Sequence, residues 1–116
     1  MNHMYFLVLF TLGCDKMDRT AFIGDYADAY CDWEEGCGKI ANYGTFSACV
    51  EERENHARYT LAPGDDGCSF DEGKAQSCVD AFSDLECKPA AAAEIEACLE
   101  VSDCYEAEPE DDNDPT

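Results

Sequence analysis

The side chains able to do chemistry in this chain are nine cysteines, two histidines and 27 carboxylates. Cysteine serves as a redox pair, a metal ligand or a structural cross-link. Redox pairs usually sit as Cys-x-x-Cys, with one thiol made acidic. Zinc-binding cysteines also come in close pairs. Neither spacing occurs here, because the shortest intervals are Cys31 to Cys37 and Cys98 to Cys104, each with five residues between. Nine cysteines in 116 residues therefore read as the disulfide scaffold of a protein in an oxidising compartment.

Histidine catalysis needs a partner and a pocket, and a nucleophile needs a base beside it. His56, in Glu-Asn-His-Ala-Arg, falls on the outer side of its helix and reads as a surface histidine. No catalytic residue is assigned and the chain is not read as an enzyme. Asp65, Asp66, Asp71 and Glu72 cluster around a glycine turn and are the one candidate for calcium. They lack the EF-hand order, and calcium asks for six to eight oxygens in a defined arrangement. No metal or cofactor is assigned. Phe22, Tyr26, Tyr30 and Trp33 could line a ligand groove, but such a stripe in a small domain is expected to be core.

These residues must be positioned by helices. Phe22, Tyr26, Ala29, Tyr30 and Trp33 recur at helical spacing, on a helix that begins near Asp18, with Asp25, Asp28 and Asp32 off the stripe. The stretch 34–44 is broken by Gly36, Gly38, Asn42 and Gly44 and reads as a loop. Thr45 is the expected N-cap of a second helix with Phe46, Cys49, Val50 and Ala57 on its inner face. After the turn Pro63-Gly64-Asp65-Asp66-Gly67, Ser69 and Glu72 are placed to form a capping box. The third helix then carries Ala75, Cys78, Val79, Phe82 and Leu85 inward. Pro89 is expected at the first position of a fourth helix with Ile95, Cys98, Leu99 and Ser102 on one face. No alternating β-branched run occurs. The expected fold is all-α: a small disulfide-rich bundle of about four short helices over 18–105. An acidic tail, 106–116, has six acids and two prolines and is expected to be disordered.

Eight cysteines follow Cys14, enough for four disulfides with none left over, and they allow on the order of a hundred connectivities. Hairpin geometry suggests one set to test. Cys31 and Cys49 lie equally far from the turn near residue 40. Cys78 with Cys98, and less closely Cys68 with Cys104, flank Lys88-Pro89. Cys37 and Cys87 remain, each near a hairpin turn. In an up-down-up-down bundle those turns share one end.

The formal net charge is −20, and every charged residue follows position 14. Nucleic acid is excluded as a partner, because no basic patch exists to neutralise phosphates. An anionic bilayer surface is disfavoured for the same reason. The charge suits cations and basic partner proteins. Nothing in the spacing fixes an oligomeric state.

Met4 to Leu12 is the only long apolar run. It is shorter than the roughly 20 residues that span a bilayer and fits the hydrophobic region of a secretory signal over 1–13. Thr11-Leu12-Gly13-Cys14 resembles a bacterial lipobox, in which the cysteine after a small residue is lipidated and becomes the new N-terminus. That resemblance implies a lipid on Cys14, a short tether over 14–17, and a protein held on a membrane of the bacterial cell envelope. Over residues 30–104 the cysteine spacing, with Tyr30-Cys31, Phe46-Ser47-Ala48-Cys49, Cys68-Ser69-Phe70-Asp71 and Ala75-Gln76-Ser77-Cys78, resembles small cysteine-rich lipoproteins of the myxobacterial type. The likeness implies scaffold and location and carries no activity. The function expected is a non-catalytic, lipid-anchored envelope protein presenting an acidic module. The alternative is a binding module for divalent cations or a basic partner.

Overall fold

A computed structural model describes residues 17–105. The segment 1–13, Cys14, most of the tether and the acidic tail lie outside the described residues. Among those described there is no strand. Four α-helices, α1 (Arg19–Gly36), α2 (Phe46–His56), α3 (Glu72–Ala81) and α4 (Glu96–Leu99), are joined by loops, 3₁₀ turns and one π-helical turn. This is the small disulfide-rich all-α bundle expected.

Helix α1 starts where the Asp18 carboxylate accepts the Ala21 N–H at 2.8 Å, satisfying one of the donors a helix leaves orphaned at its start. It ends after Gly36, where the Cys37 N–H donates to the Trp33 carbonyl and Gly38 takes a φ of +75°. Thr45 caps α2, its hydroxyl accepting the Ala48 N–H at 3.0 Å. Helix α2 then widens into a π turn, Ala57–Leu61, closed by the Ala62 N–H on the Ala57 carbonyl. Arg19 of α1 reaches across to this turn and donates to the carbonyls of Ala62 and Arg58. Its guanidinium passes directly over Gly64, where a Cβ would stand 2.9 Å from Cζ. A side chain at position 64 would require the Arg19 guanidinium to shift.

Two expectations are corrected. Helix α3 is capped by Asp71, whose carboxylate accepts the Lys74 N–H at 2.9 Å, and not by a box between Ser69 and Glu72. Ser69 is committed elsewhere: its N–H donates to the Asp103 carboxylate at 2.9 Å, and its hydroxyl accepts the Asp103 N–H at 3.3 Å. Those bonds and the Cys68–Cys104 disulfide fasten the chain end to the start of α3. The fourth helix is also much shorter than a run from Pro89. Ala92–Glu94 is a 3₁₀ turn, Ile95 is extended, and α4 covers only Glu96–Leu99. The alanines supply helix propensity but no apolar stripe, and a short helix without a packed face is marginal in water. Extending at Ile95 buries that side chain, at 8% exposure.

The core gathers Phe22, Ile23 and Tyr26 of α1 with Ala57, Leu61, Ala75, Cys78, Phe82, Cys98 and Val101. Helix α1 packs on both α2 and α3, and α4 packs on α3. The aromatic stripe is core through Phe22 and Tyr26, with Tyr30 and Trp33 packed against it. The Trp33 indole N–H also donates to the carbonyls of Leu85 and Glu86 at 3.3 and 3.2 Å, tying the segment after α3 back to α1.

Candidate functional site: a cavity beside a buried disulfide

The eight cysteines from Cys31 onward pair as Cys31–Cys49, Cys37–Cys87, Cys68–Cys104 and Cys78–Cys98. These are the same four pairs that hairpin geometry suggests. Cys31–Cys49 joins α1 to α2 with Cα atoms 5.9 Å apart, and Cys78–Cys98 joins α3 to α4 at 4.7 Å. All four of these sulfur-bearing residues are buried. Cross-linked thiols of this density belong to an oxidising environment outside the reducing cytosol. No helix among the described residues is long and apolar enough to cross a membrane.

Beside the Cys78–Cys98 disulfide, with Cys98 in its lining, lies a cavity of about 330 Å³. Tyr26 and Tyr30 reach it from α1, Arg53 and His56 from α2, and Leu61 from the π turn. Ala92, Ala93, Leu99 and Tyr105 close the opposite side. Arg53 and His56 are four and seven residues beyond the buried Cys49, so helical spacing carries all three on one face. The sequence reading, which put His56 on the outer side of its helix, is corrected. His56 is half-buried, with its ring centroid 6.2 Å from that of Tyr26. The missed residue is Arg53. Its spacing from Cys49 was the available signal, but its polar type argued for solvent.

Arg53 has only 16% of its side chain exposed. The guanidinium carbon stands 4.5 Å from the Tyr30 ring centroid, a cation–π geometry. Burial works against its charge, and the phenols of Tyr26, Tyr30 and Tyr43 outweigh that penalty and hold its pKa above the usual value. Its bonded carboxylate is Glu52, at 3.4 Å from Nη2 and itself 59% exposed. Its Nε is buried with no hydrogen-bond partner. Such a donor ordinarily costs free energy unless something pairs with it.

The calcium candidate does not assemble. Asp71 caps α3, and the Asp65 carbonyl accepts the Cys68 N–H in the preceding turn. Among the described residues no group of three or more His, Cys, Asp or Glu is arranged to hold a metal ion, so Asp65, Asp66, Asp71 and Glu72 are not brought together as ligands.

Tyr26, 4% exposed, gives the cavity a pH signature. Burial pushes its phenol well above the usual range, with the Arg53 charge acting in the opposite direction. The folded state thus holds this proton more tightly than the unfolded chain does. The resulting stability is complete below the ordinary phenol pKa of about 10 and is lost as pH rises beyond it. In a titration followed by tyrosinate absorbance, Tyr26 is expected to ionise only well above pH ~10 and together with loss of helix signal. If Tyr26 ionised near pH ~10 while the helices stayed intact, that expectation would be wrong. Comparisons with protein-family models, curated proteins and solved structures find no match to this chain.

Proposed function

We propose that this chain is a non-catalytic protein of the bacterial cell envelope, held to a membrane by a lipid on Cys14. The observation that carries the reading is the closure of the cysteine count. Nine cysteines are present, and the eight from Cys31 to Cys104 pair with one another. Cys14 therefore has no disulfide partner left in its own chain, and it directly follows the apolar run in a lipobox-like context. The residues that line the cavity with His56 are aromatic or aliphatic, one arginine and the disulfide-bonded Cys98, a lining suited to holding a ligand. Several acyl chains, at roughly 0.8 kcal/mol per buried methylene, anchor firmly where one chain binds only marginally.

The test is the full chain expressed in a bacterium that processes lipoproteins, with membranes separated before intact-mass analysis. The expected product begins at Cys14, carries the mass of its acyl chains and retains four disulfides. Cys14→Ser is expected to lower the membrane-bound share at least tenfold while leaving the disulfide pattern unchanged. Retention of Met1, or equal membrane partition of the Cys14→Ser chain, would remove the lipid from the reading.

A further inference from the structure

In a chain with seven Lys and Arg against 27 Asp and Glu, cations have a wide choice of surface partners. Lys74 takes Glu100 at 2.6 Å, Lys88 takes Glu86 at 3.4 Å, and Arg58 takes the Asn55 side chain at 2.8 Å. Arg53 lines the cavity, its guanidinium over the Tyr30 ring. Buried charges are normally paired with a charge of opposite sign. The carboxylate bonded to Arg53 is its immediate neighbour Glu52, more than half exposed, and adjacent residues on a helix do not face each other. No carboxylate lines the cavity among the described residues. Inside the cavity the guanidinium meets the phenol of Tyr26 and the ring face of Tyr30, and no group of opposite charge.

The remaining lining describes that partner. Leu61, Ala92, Ala93 and Leu99 form an apolar wall, and Tyr30 and Tyr105 bring phenols. A guanidinium matches the planar geometry of a carboxylate with two parallel hydrogen bonds. At about 330 Å³ the cavity lies at the small end of ligand sites, which run to about 1,000 Å³. That size suits a small molecule. The geometry points to Arg53 as the anchor of a binding site for a small monocarboxylate with a short apolar chain, its head on the guanidinium and its chain along Leu61 and Leu99. The π turn that ends α2 helps shape this site by carrying Leu61 into the cavity. This site stands apart from the Cys14 lipid, so either can fail without the other.

The test is calorimetric titration of the disulfide-intact full chain with butyrate, hexanoate and the uncharged hexanamide. Hexanoate is expected to bind saturably, and each methylene from butyrate onward to improve affinity about fourfold, the equivalent of ~0.8 kcal/mol. Hexanamide is expected to bind at least tenfold more weakly. Arg53→Met should weaken hexanoate at least tenfold, since it removes the charge while keeping an apolar stem along the cavity wall. Arg53→Lys should fall between the two, keeping charge but losing the planar fork. The absence of saturable binding by every carboxylate at millimolar concentration would overturn the site, as would equal binding of hexanoate and hexanamide. The wild-type series decides the matter even if that variant fails to fold.

Discussion

Complete reduction of the four disulfides is expected to unfold the helical domain at room temperature. The closed loops span sequence separations of 18, 20, 36 and 50 residues. Loop-closure entropy assigns about 3 kcal/mol to each of the two shorter loops and about 4 kcal/mol to each of the two longer ones. The loops overlap, so their sum of about 14 kcal/mol is an upper bound. Even half of it matches the lower part of the 5–15 kcal/mol that a whole small domain has available. The apolar core of this domain is too small to make up the loss. Access sets the order in which the bonds fall. Cys87 is exposed and Cys37 half-buried, while Cys31, Cys49 and Cys78 are 0% exposed and Cys98 is 3% exposed. With limiting reductant, thiol labelling should find Cys37 and Cys87 first, with the far-ultraviolet helix signal retained. Opening either buried pair should then coincide with loss of that signal. A reduced chain that shows eight labelled thiols and native helix content would refute this account.

Much of this architecture could be read from residue types because local rules and the tertiary fold agree. Asp18 and Thr45 sit where a cap is needed and both accept the expected N–H. The equal distances of Cys31 and Cys49 from their turn are a geometric consequence of a helical hairpin, and that pair forms. Readings failed where a residue had two possible partners or the period changed. Ser69 can cap a helix, but Asp103, 34 residues later, offers it two bonds that local sequence cannot reveal. The alanine run before α4 says helix by propensity, while burial of Ile95 says extended, and burial wins. The π turn at Ala57–Leu61 interrupts the 3.6-residue period on which stripe reading depends. The cavity was illegible for a related reason. A hydrophobic stripe is found by its apolar members, and the inward positions after Cys49 are filled by Arg53 and His56. A polar side chain on a buried face departs from the rule that local pattern and fold agree. Such departures concentrate at functional sites.

Phe22→Ala is expected to be the most damaging single substitution away from the cysteines. Phe22 is 0% exposed and heads the large, fully buried side chains. Its ring centroid lies 5.7 Å from that of Tyr26 and 6.0 Å from that of Phe70, the latter edge-on. It therefore joins α1 to the segment that leads into α3. Truncation removes the transfer free energy of the ring and leaves a void that cross-linked helices cannot close. Phe→Ala changes in cores cost about 3–5 kcal/mol. In a domain of this length each kcal/mol moves Tm by about 4–8 °C, so the melting point should fall by about 12–40 °C. Tyr59→Ala is the matched control, since Tyr59 is 72% exposed, and surface changes stay within about 0.5 kcal/mol. The two predictions are linked through the unfolded state. Disulfides act chiefly by restricting that state, whereas Phe22 acts in the folded one. The Phe22→Ala chain should therefore still refold reversibly with its four bonds intact. Its buried pairs should open to mild reductant faster than in the parent, because local opening that exposes Cys31–Cys49 and Cys78–Cys98 costs less once the ring between the helices is gone. Unchanged reduction rates of those pairs, alongside a lowered Tm, would mean that Phe22 and the disulfides stabilise separable parts of the domain.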